Sequence, residues 1–323
     1  MRVVVTGGAG FIGRSVVGQL AARGDLVVAL VRDPARASFL QATGVTLATS
    51  DLADVAWLTD QLRGADALIH GAGSYKVGIT AAERPAMWDA NVGTTERVLA
   101  AAAAAGTSRI AYVSTVGIFG DTHGREVDET YRRDPSQGFL SCYDETKFRA
   151  HEVAERAIAA GTPIVIAQPG QVYGPGDHTL IGEVMGDAYR GRLHYLALAE
   201  VAFGMAHVDD TAAGIIGALD RGRPGEAYVI AGEPSTLAAA AGLAARLGGH
   251  RPPILRVPTG LLRLIAPLND GMGGLPGLPA NMHETIRVAQ ASYLASHAKA
   301  ERELGFAPRS LEQGIVDTFG VHS

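Results

Sequence analysis

Thr6-Gly7-Gly8-Ala9-Gly10-Phe11-Ile12-Gly13 follows the β-branched run Arg2–Thr6 and opens the amphipathic pattern Phe11–Arg23. A strand, a glycine turn and a helix in that order decide the fold. Gly7 permits the tight turn, Gly10 lets the main chain approach a ligand closely, and Gly13 lets the helix pack against the strand. The first amides of the helix then face outward at the strand's carboxyl end, where they suit a pyrophosphate. This reading assigns Gly7, Gly10, Phe11, Ile12 and Gly13 to binding a dinucleotide.

Outward from this loop, short strand-like runs alternate with helical stretches. Leu26–Val31, Val45–Ala48, Ala67–His70, Arg109–Ser114 and Ile164–Ala167 read as strands. Ala35–Thr43, Asp54–Leu62, Pro85–Ala105 and Cys142–Ala160 read as helices. The alanine-rich stretch Ala100–Ala105 is a closely packed helix end, stopped at Gly106. Alternation of this kind predicts an α/β fold, a Rossmann-type doubly wound parallel sheet, whose ligands lie at the carboxyl ends of the strands. After Pro169 glycine and proline become frequent, and Gly271–Pro279 is the most loop-like segment. The expected division is a dinucleotide-binding, catalytic domain over 1–170 and a smaller C-terminal substrate lobe over 171–323, with some strands and helices returning to the first sheet.

Of 323 residues, 47% are hydrophobic and 19% charged, which excludes a disordered chain. The formal net charge of −5 offers no basic field, so a nucleic-acid partner is not expected. The single cysteine, Cys142, cannot form an intrachain disulfide and points to a reducing, cytoplasmic setting. No apolar run is long enough for a signal peptide or a membrane span. The histidines show no metal-ligand spacing, so no metal is expected.

The second strand ends at Val31, and Arg32-Asp33 follow. The first residue past this strand faces the adenosine ribose: an acid there bonds a 2′-hydroxyl, whereas an arginine suits a 2′-phosphate. Arg32 therefore favours NADP(H), with Arg36 as a second contact, while Asp33 keeps NAD(H) open. Asp51-Leu52, past the third strand, could hold the adenine; Asp51 could equally cap the next helix.

Tyr143 and Lys147 stand four residues apart on one helix face. Of the three lysines in the chain, only Lys147 has a tyrosine four positions before it. A free phenol titrates near pH ~10, and an adjacent ammonium lowers that value. Tyr143 can then exchange a proton with a carbonyl or alcohol oxygen. Ser114-Thr115, at the end of the fifth strand, can orient the same oxygen. Cys142, beside Tyr143, has no activating base in the sequence and reads as packing.

With these residues in hand, the chain resembles the extended branch of the short-chain dehydrogenases/reductases, of NAD-dependent epimerase/dehydratase type. The similar pieces are Thr6–Gly13, Asp51-Leu52, His70–Gly73, Asn91–Thr94, Val113–Gly120, Tyr143–Lys147, Gln168–Asp177, His207–Asp210 and Leu304–Ser310, nearly the whole chain. The resemblance implies that Thr115 is the catalytic hydroxyl, that Tyr143 is the acid/base, and that Lys147 holds the nicotinamide ribose and tunes Tyr143. It implies that Asn91 kinks its helix or holds a water in a proton relay. Gly71, Ala72, Gly73, Ser114, Pro169, Gly170 and Val172 join the cofactor-binding set. It further implies a homodimer paired through Pro85–Ala105 and Cys142–Ala160.

Two departures narrow the expected chemistry. Nucleotide-sugar dehydratases carry an Asp-Glu pair after the catalytic threonine; here Val116 and Gly117 stand there. Epimerases place a pyrophosphate-binding arginine four residues before the histidine of the His-Val-Asp segment; here it is Phe203. With Met205, Phe203 suggests an apolar pocket. The segments around Val31–Pro34 and Lys299–Gly305 also resemble the branch of dihydroflavonol reductases and 3β-hydroxysteroid dehydrogenases. The expected activity is NADP(H)-dependent reduction of a ketone or aldehyde, or oxidation of a secondary alcohol, on a fairly apolar small molecule. Two alternatives are a nucleotide-sugar epimerase with tightly held NAD, and a non-catalytic NADP(H)-binding regulator.

Overall fold

The computed structural model describes residues 1–253, 255–257, 259–272 and 280–320. Most of the segment expected to be loop, Gly271–Pro279, lies outside the described residues. Seven parallel strands form the main sheet in the order β10-β6-β5-β4-β1-β2-β3. β1 (Arg2–Thr6), β2 (Leu26–Val31) and β3 (Thr46–Thr49) run one way from the centre. β4 (Ala67–His70), β5 (Ile110–Val113), β6 (Ile164–Pro169) and β10 (Ala227–Ile230) run the other. β1 pairs with both β2 and β4, so the strand order reverses beside it. That reversal opens a crevice at the carboxyl edge, and the glycine loop sits in it.

Strand residues alternate between two buried faces, as the near-continuous apolar runs require. Val3, Val5, Ala29 and Ile69 pack under α1 (Phe11–Ala22) and α7 (Val208–Arg221). Val4, Leu30, Leu68 and Tyr112 pack under α2 (Val55–Leu62), α4 (Thr94–Ala105) and α5 (Cys142–Ala159).

Two local readings change. The expected helix over Ala35–Thr43 is a short 3₁₀ turn, Ser38–Thr43, closed by Gly44 at φ +78°. The helix expected over Pro85–Ala105 is interrupted: α3 (Arg84–Trp88) and α4 are joined by a wide π turn, Asp89–Gly93. Arg97 braces that turn with a bidentate bond to Asp89, at 2.8 and 3.1 Å. The sequence periodicity runs through unbroken because a single inserted residue barely disturbs the apolar stripe. α4 ends as expected, at Gly106 with φ +69°.

Beyond β6 the chain builds a three-stranded sheet, β11-β9-β7, from β7 (Gln171–Tyr173), β9 (Ala202–His207) and β11 (Pro234–Thr236). β8 (Tyr195–Ala197) pairs with β12 (Leu255–Val257). α6 (Leu180–Tyr189), α8 (Leu237–Leu247) and α12 (Leu311–Phe319) enclose a separate core around Met185, Met205 and Ala241. α9 (Thr259–Gly271), α10 (Met282–Val288) and α11 (Ala298–Leu304) complete the chain. β10 and α7 return to the main sheet, α7 lying against α1, where Ser15 Oγ donates to Asp209 at 2.6 Å.

Candidate active site

The glycine loop has the geometry of a tight cradle. Gly7 has φ +75°, and a Cβ there would lie 2.6 Å from the Gly71 carbonyl carbon. A Cβ on Gly13 would fall 2.0 Å from the Gly7 carbonyl oxygen. Both positions therefore admit only glycine. No side chain caps α1 at Gly10, which leaves the amide end of the helix open at the sheet's carboxyl edge. Phe11 and Ile12 follow in its first turn, Ile12 against the core and Phe11 under the Arg14 guanidinium.

The same edge carries the other expected cofactor residues. Arg32 is exposed just past β2, with no partner among the described residues. Asp33 is occupied: it accepts from the amides of Ala35 and Arg36 at 3.0 and 3.3 Å, and pairs with the Arg36 guanidinium. Asp51 accepts from Ala53 N, and Leu52 takes φ +62° while its carbonyl receives Arg97 Nε at 2.9 Å. The cap of α2 is Asp54, which accepts from Ala56 and Trp57; Asp51 is free of that task. Gly71, Ala72 and Gly73 leave β4 beside Gly7, and a Cβ on Gly73 would meet Asn91 Oδ1 at 3.0 Å. Pro169 ends β6, Val172 lies buried on β7, and a Cβ on Gly170 between them would meet the Gly204 carbonyl at 2.5 Å. An open helix terminus, two glycines that no side chain could replace and a free guanidinium fit a dinucleotide phosphate.

A buried chain of hydrogen bonds ties this cradle to α4. Ala72 N–H donates to Thr6 Oγ1 at 3.2 Å, and Thr95 Oγ1 donates to the Asn91 carbonyl at 2.7 Å. Between them His70, fully buried, has Nδ1 2.7 Å from Thr6 Oγ1 and Nε2 3.1 Å from Thr95 Oγ1. One directionality satisfies every member: Thr6 donates to Nδ1, and Nε2–H donates to Thr95. His70 is thus neutral, its pKa pushed down to about 3 by burial and then by the Lys147 charge.

Ser141 caps α5 by accepting from Asp144 N, and a bidentate pair between Arg133 and Asp144, at 2.6 and 2.9 Å, fixes its first turn. Tyr143 and Lys147 lie on one face of this helix. Lys147 Nζ donates to the Val113 carbonyl at 3.1 Å and sits over the Tyr112 ring. Burial lowers its pKa to about 8. The Tyr143 phenol is pushed up by burial and then by Tyr75, against a hydrogen bond with Thr115. The expected lowering of the phenol by Lys147 is not seen in this geometry, where desolvation dominates. Thr115 Oγ1 also accepts from Gly117 N at 3.0 Å. Ser114, placed among the cofactor residues from sequence, is buried with its hydroxyl 2.9 Å from His151 Nδ1.

Asn91 occupies the centre of the π turn and is only 2% exposed. Its side chain bonds both main-chain groups of Ser74 and the Thr146 hydroxyl, so it joins the β4 loop to α5. Cys142 is buried against Ile79, Met87 and Tyr143 and carries a thiol raised by burial.

Sequence reasoning missed three groups here. Tyr75 meets Tyr143 edge-on, centroids 4.7 Å apart. Its loop is pinned by α10, where Glu284 accepts from Gly78 N at 2.9 Å and Asn281 N donates to the Gly78 carbonyl. Tyr293 stacks on Phe203 at 6.4 Å. Nothing in the local pattern signals either tyrosine. His151 did carry a signal, since it continues the four-residue spacing of Tyr143 and Lys147. Met205, expected to face the pocket, is 2% exposed in the second core; in β9 the partly exposed residues are Ala202 and Phe203. His207 caps α7 by accepting from Asp209 N at 3.2 Å. Among the described residues no cluster of three or more side chains could hold a metal, and no helix is long and apolar enough to cross a membrane.

Comparison with known proteins agrees with this layout. Residues 3–231 match the NAD dependent epimerase/dehydratase family. "Sterol demethylase protein B" of Methylococcus capsulatus is 29% identical, over 98% of this chain and 97% of the relative. The 4-hydroxy-2-methyl-3-oxo-4-farnesyl-3,4-dihydroquinoline-1-oxide ketoreductase of Stigmatella aurantiaca is 30% identical, over 98% of this chain and 95% of the relative. The crystal structure of gox2253 superposes with a TM-score of 0.83 at 30% identity, covering 98% of this chain and 96% of that one.

Proposed function

The chain belongs to the NAD dependent epimerase/dehydratase family and is an NAD(P)-dependent oxidoreductase of the extended short-chain dehydrogenase/reductase type; from that premise we propose that it uses NADP(H) to reduce a ketone or aldehyde, or oxidise a secondary alcohol, of a fairly apolar small molecule. The observation that carries the substrate class is the aromatic wall at the acid: Tyr75 stands edge-on to Tyr143, and Phe203 lies flat on Tyr293 where a pyrophosphate-binding arginine would be needed for a nucleotide sugar. The residue after Thr115 is buried Val116 rather than an acid, which argues against eliminating water. The named relatives include a ketoreductase, which supports the same reading.

The bound nicotinamide would supply or accept the hydride. The chain does the rest. The amide end of α1 and Gly7, Gly10 and Gly13 hold the pyrophosphate, and Arg32 reads the 2′-phosphate. Thr115 and Tyr143 orient the substrate oxygen. Tyr143 gives that oxygen its phenolic proton in reduction and takes it back in oxidation. Lys147 holds the ribose and presents positive charge beneath it. Asn91 positions the loop and helix on either side rather than touching the substrate. For assembly we propose a homodimer through α3, α4 and α5, whose outer surface carries a groove of about 530 Å³ with Trp88 half-exposed in it.

The test is NADPH and NADH oxidation followed by absorbance with a panel of aliphatic, aromatic and polycyclic carbonyl compounds. The expected result is turnover with NADPH that falls by about 10²–10⁴ in Tyr143→Phe. Interconversion of nucleotide sugars, with no carbonyl reduced, would overturn the reading.

A further inference from the structure

α9 carries apolar residues on the side it turns to solvent. Leu264, Pro267, Leu268, Gly271 and Met272 recur at the spacing of one helix face, and each of them is exposed. Met272 stands just past the end of α9, where its amide donates to the Leu268 carbonyl at 3.2 Å and continues the turn. Leu264 is 76% exposed, and Leu268 and Met272 are 63% exposed. The opposite side of the helix is covered. Ala266 packs with Met282 and Ile286 of α10, and Asn269 is fully buried. α9 and α10 thus form a hairpin with a small core of its own and an apolar ridge turned outward. Single exposed apolar side chains are ordinary, whereas a row of large ones along one face marks a contact.

The charge around this ridge is one-sided. From Arg251 to Gln290 the chain has four arginines and two acids, in a protein of net charge −5. Both acids are occupied. Asp270 accepts from the amides of Met282 and His283 at 2.6 and 3.2 Å and meets the His283 ring at 2.6 Å. Glu284 is 1% exposed and accepts from Gly78 N. Arg251, Arg263 and Arg287 are exposed, and Arg263 donates to Gln290 Oε1 at 2.8 Å. A second copy of the chain meeting this face across a two-fold axis would bring a basic face to a basic face, with no exposed acid among the described residues of the hairpin to answer it. An anionic lipid surface offers what the face lacks: apolar depth for the ridge and negative headgroups for the arginines.

We propose that the outer face of the α9–α10 hairpin rests on the surface of an anionic bilayer, with Leu264, Leu268 and Met272 at the acyl boundary and the arginines among the headgroups. The helix lies in the plane of the interface and spans nothing. The same hairpin holds the active-site loop, because Glu284 and Asn281 of α10 and its cap bond the amide and carbonyl of Gly78, close to Tyr75 and Tyr143. On the reductase reading, an apolar carbonyl compound dissolved in the bilayer would enter from this side. The docking itself does not depend on that reading.

The experiment floats the full-length protein with vesicles of phosphatidylcholine alone and of phosphatidylcholine mixed with phosphatidylglycerol. The protein should rise with the mixed vesicles and bind less in high salt. Arg287→Gln should lower that binding about fivefold. The double variant Leu264→Ser, Leu268→Ser should lower it by about tenfold or more. Each change falls on an exposed side chain, so the melting temperatures should stay at the wild-type value. A second arm reads the contact directly. An environment-sensitive fluorophore on Leu268→Cys should shift to the blue with mixed vesicles, and one on Asp60→Cys, exposed on α2, should not. Cys142 is buried, which leaves the label to the new thiol.

A wild type that stays below the mixed vesicles would overturn the proposal, and so would a double variant that floats as well as the wild type. Equal fluorophore shifts at the two positions would do the same. Dissociation of a dimer in the double variant, with no vesicle binding by the wild type, would assign the face to a second copy instead. Neither arm uses turnover. Failure on every carbonyl compound would therefore remove the reductase reading, and the flotation result would still decide the docking.

Discussion

Asn91 holds both main-chain polar groups of Ser74: its Oδ1 accepts from the Ser74 amide at 2.7 Å, and its Nδ2 donates to the Ser74 carbonyl at 3.1 Å. A second donor bond from Nδ2 reaches Thr146 Oγ1 at 2.9 Å. One side chain thereby couples the loop that carries Tyr75 to the helix that carries Tyr143. Replacing it by alanine strands a part-buried amide and carbonyl, at a cost of up to about 1–3 kcal/mol for each group left unpaired. Asn91→Ala should lower the unfolding free energy by that order in urea titrations. It should also raise KM for substrate more than it changes KM for NADPH, because the freed loop belongs to the aromatic wall. Equal effects on both constants would count against the coupling.

Arg32 and Asp33 stand side by side but are not equivalent. Asp33 is spent on two amides and on Arg36, while Arg32 is unpartnered among the described residues. A charge-assisted bond to a 2′-phosphate is worth about 1.5–3 kcal/mol, or roughly tenfold to a hundredfold in affinity. Arg32→Ser should weaken NADPH binding by that factor, measured by fluorescence titration, and leave NADH binding nearly unchanged. Equal losses for both cofactors would place the 2′-phosphate elsewhere.

His70 gives a pH signature. Its pKa falls to about 3 in the folded protein from 6.5 when exposed, so the unfolded chain binds the extra proton across that window. Stability from this group is therefore complete above pH 6.5 and is lost as the pH falls toward 3. The slope is about 1.4 kcal/mol per pH unit once below the exposed value. His70→Leu removes this term but leaves Thr6 and Thr95 short of a partner, so it should be less stable than wild type at pH 7. The gap between the two should narrow by about 2 kcal/mol on going from pH 6.5 to 5. A gap that stays constant in urea titrations across that range would show that His70 carries a proton in the folded state.

Much of the fold was legible because its determinants are local. The strand–glycine–helix unit at Thr6–Gly13 is written in adjacent residues, and the structure shows the reason in contacts: Gly7 and Gly13 have no room for a Cβ. The alternation of strands and helices predicted the doubly wound sheet. Tyr143 and Lys147 were found by helix spacing alone, and His151 and Glu155 lay in the same pattern unread. The break at Asp89–Gly93 left no mark in the periodicity, since one extra residue in a turn leaves the apolar stripe nearly in phase; only the resemblance, which implied a kink at Asn91, pointed to it.

What the sequence determined by itself was therefore a dinucleotide-type α/β fold, its glycine cradle, and a tyrosine and lysine on one helix face; each follows from backbone geometry within a few residues. Tertiary structure alone decided what those groups touch. Tyr75 reaches Tyr143 only because Glu284, 206 residues away in the chain, holds Gly78. His70 is neutral only because β1 and α4 bring Thr6 and Thr95 to its two nitrogens. Lys147 is buried beneath β5 and shifted toward neutrality, and the Tyr143 phenol is raised rather than lowered. Desolvation and long-range hydrogen bonds depend on which surfaces meet in three dimensions, and no periodicity in the chain encodes that.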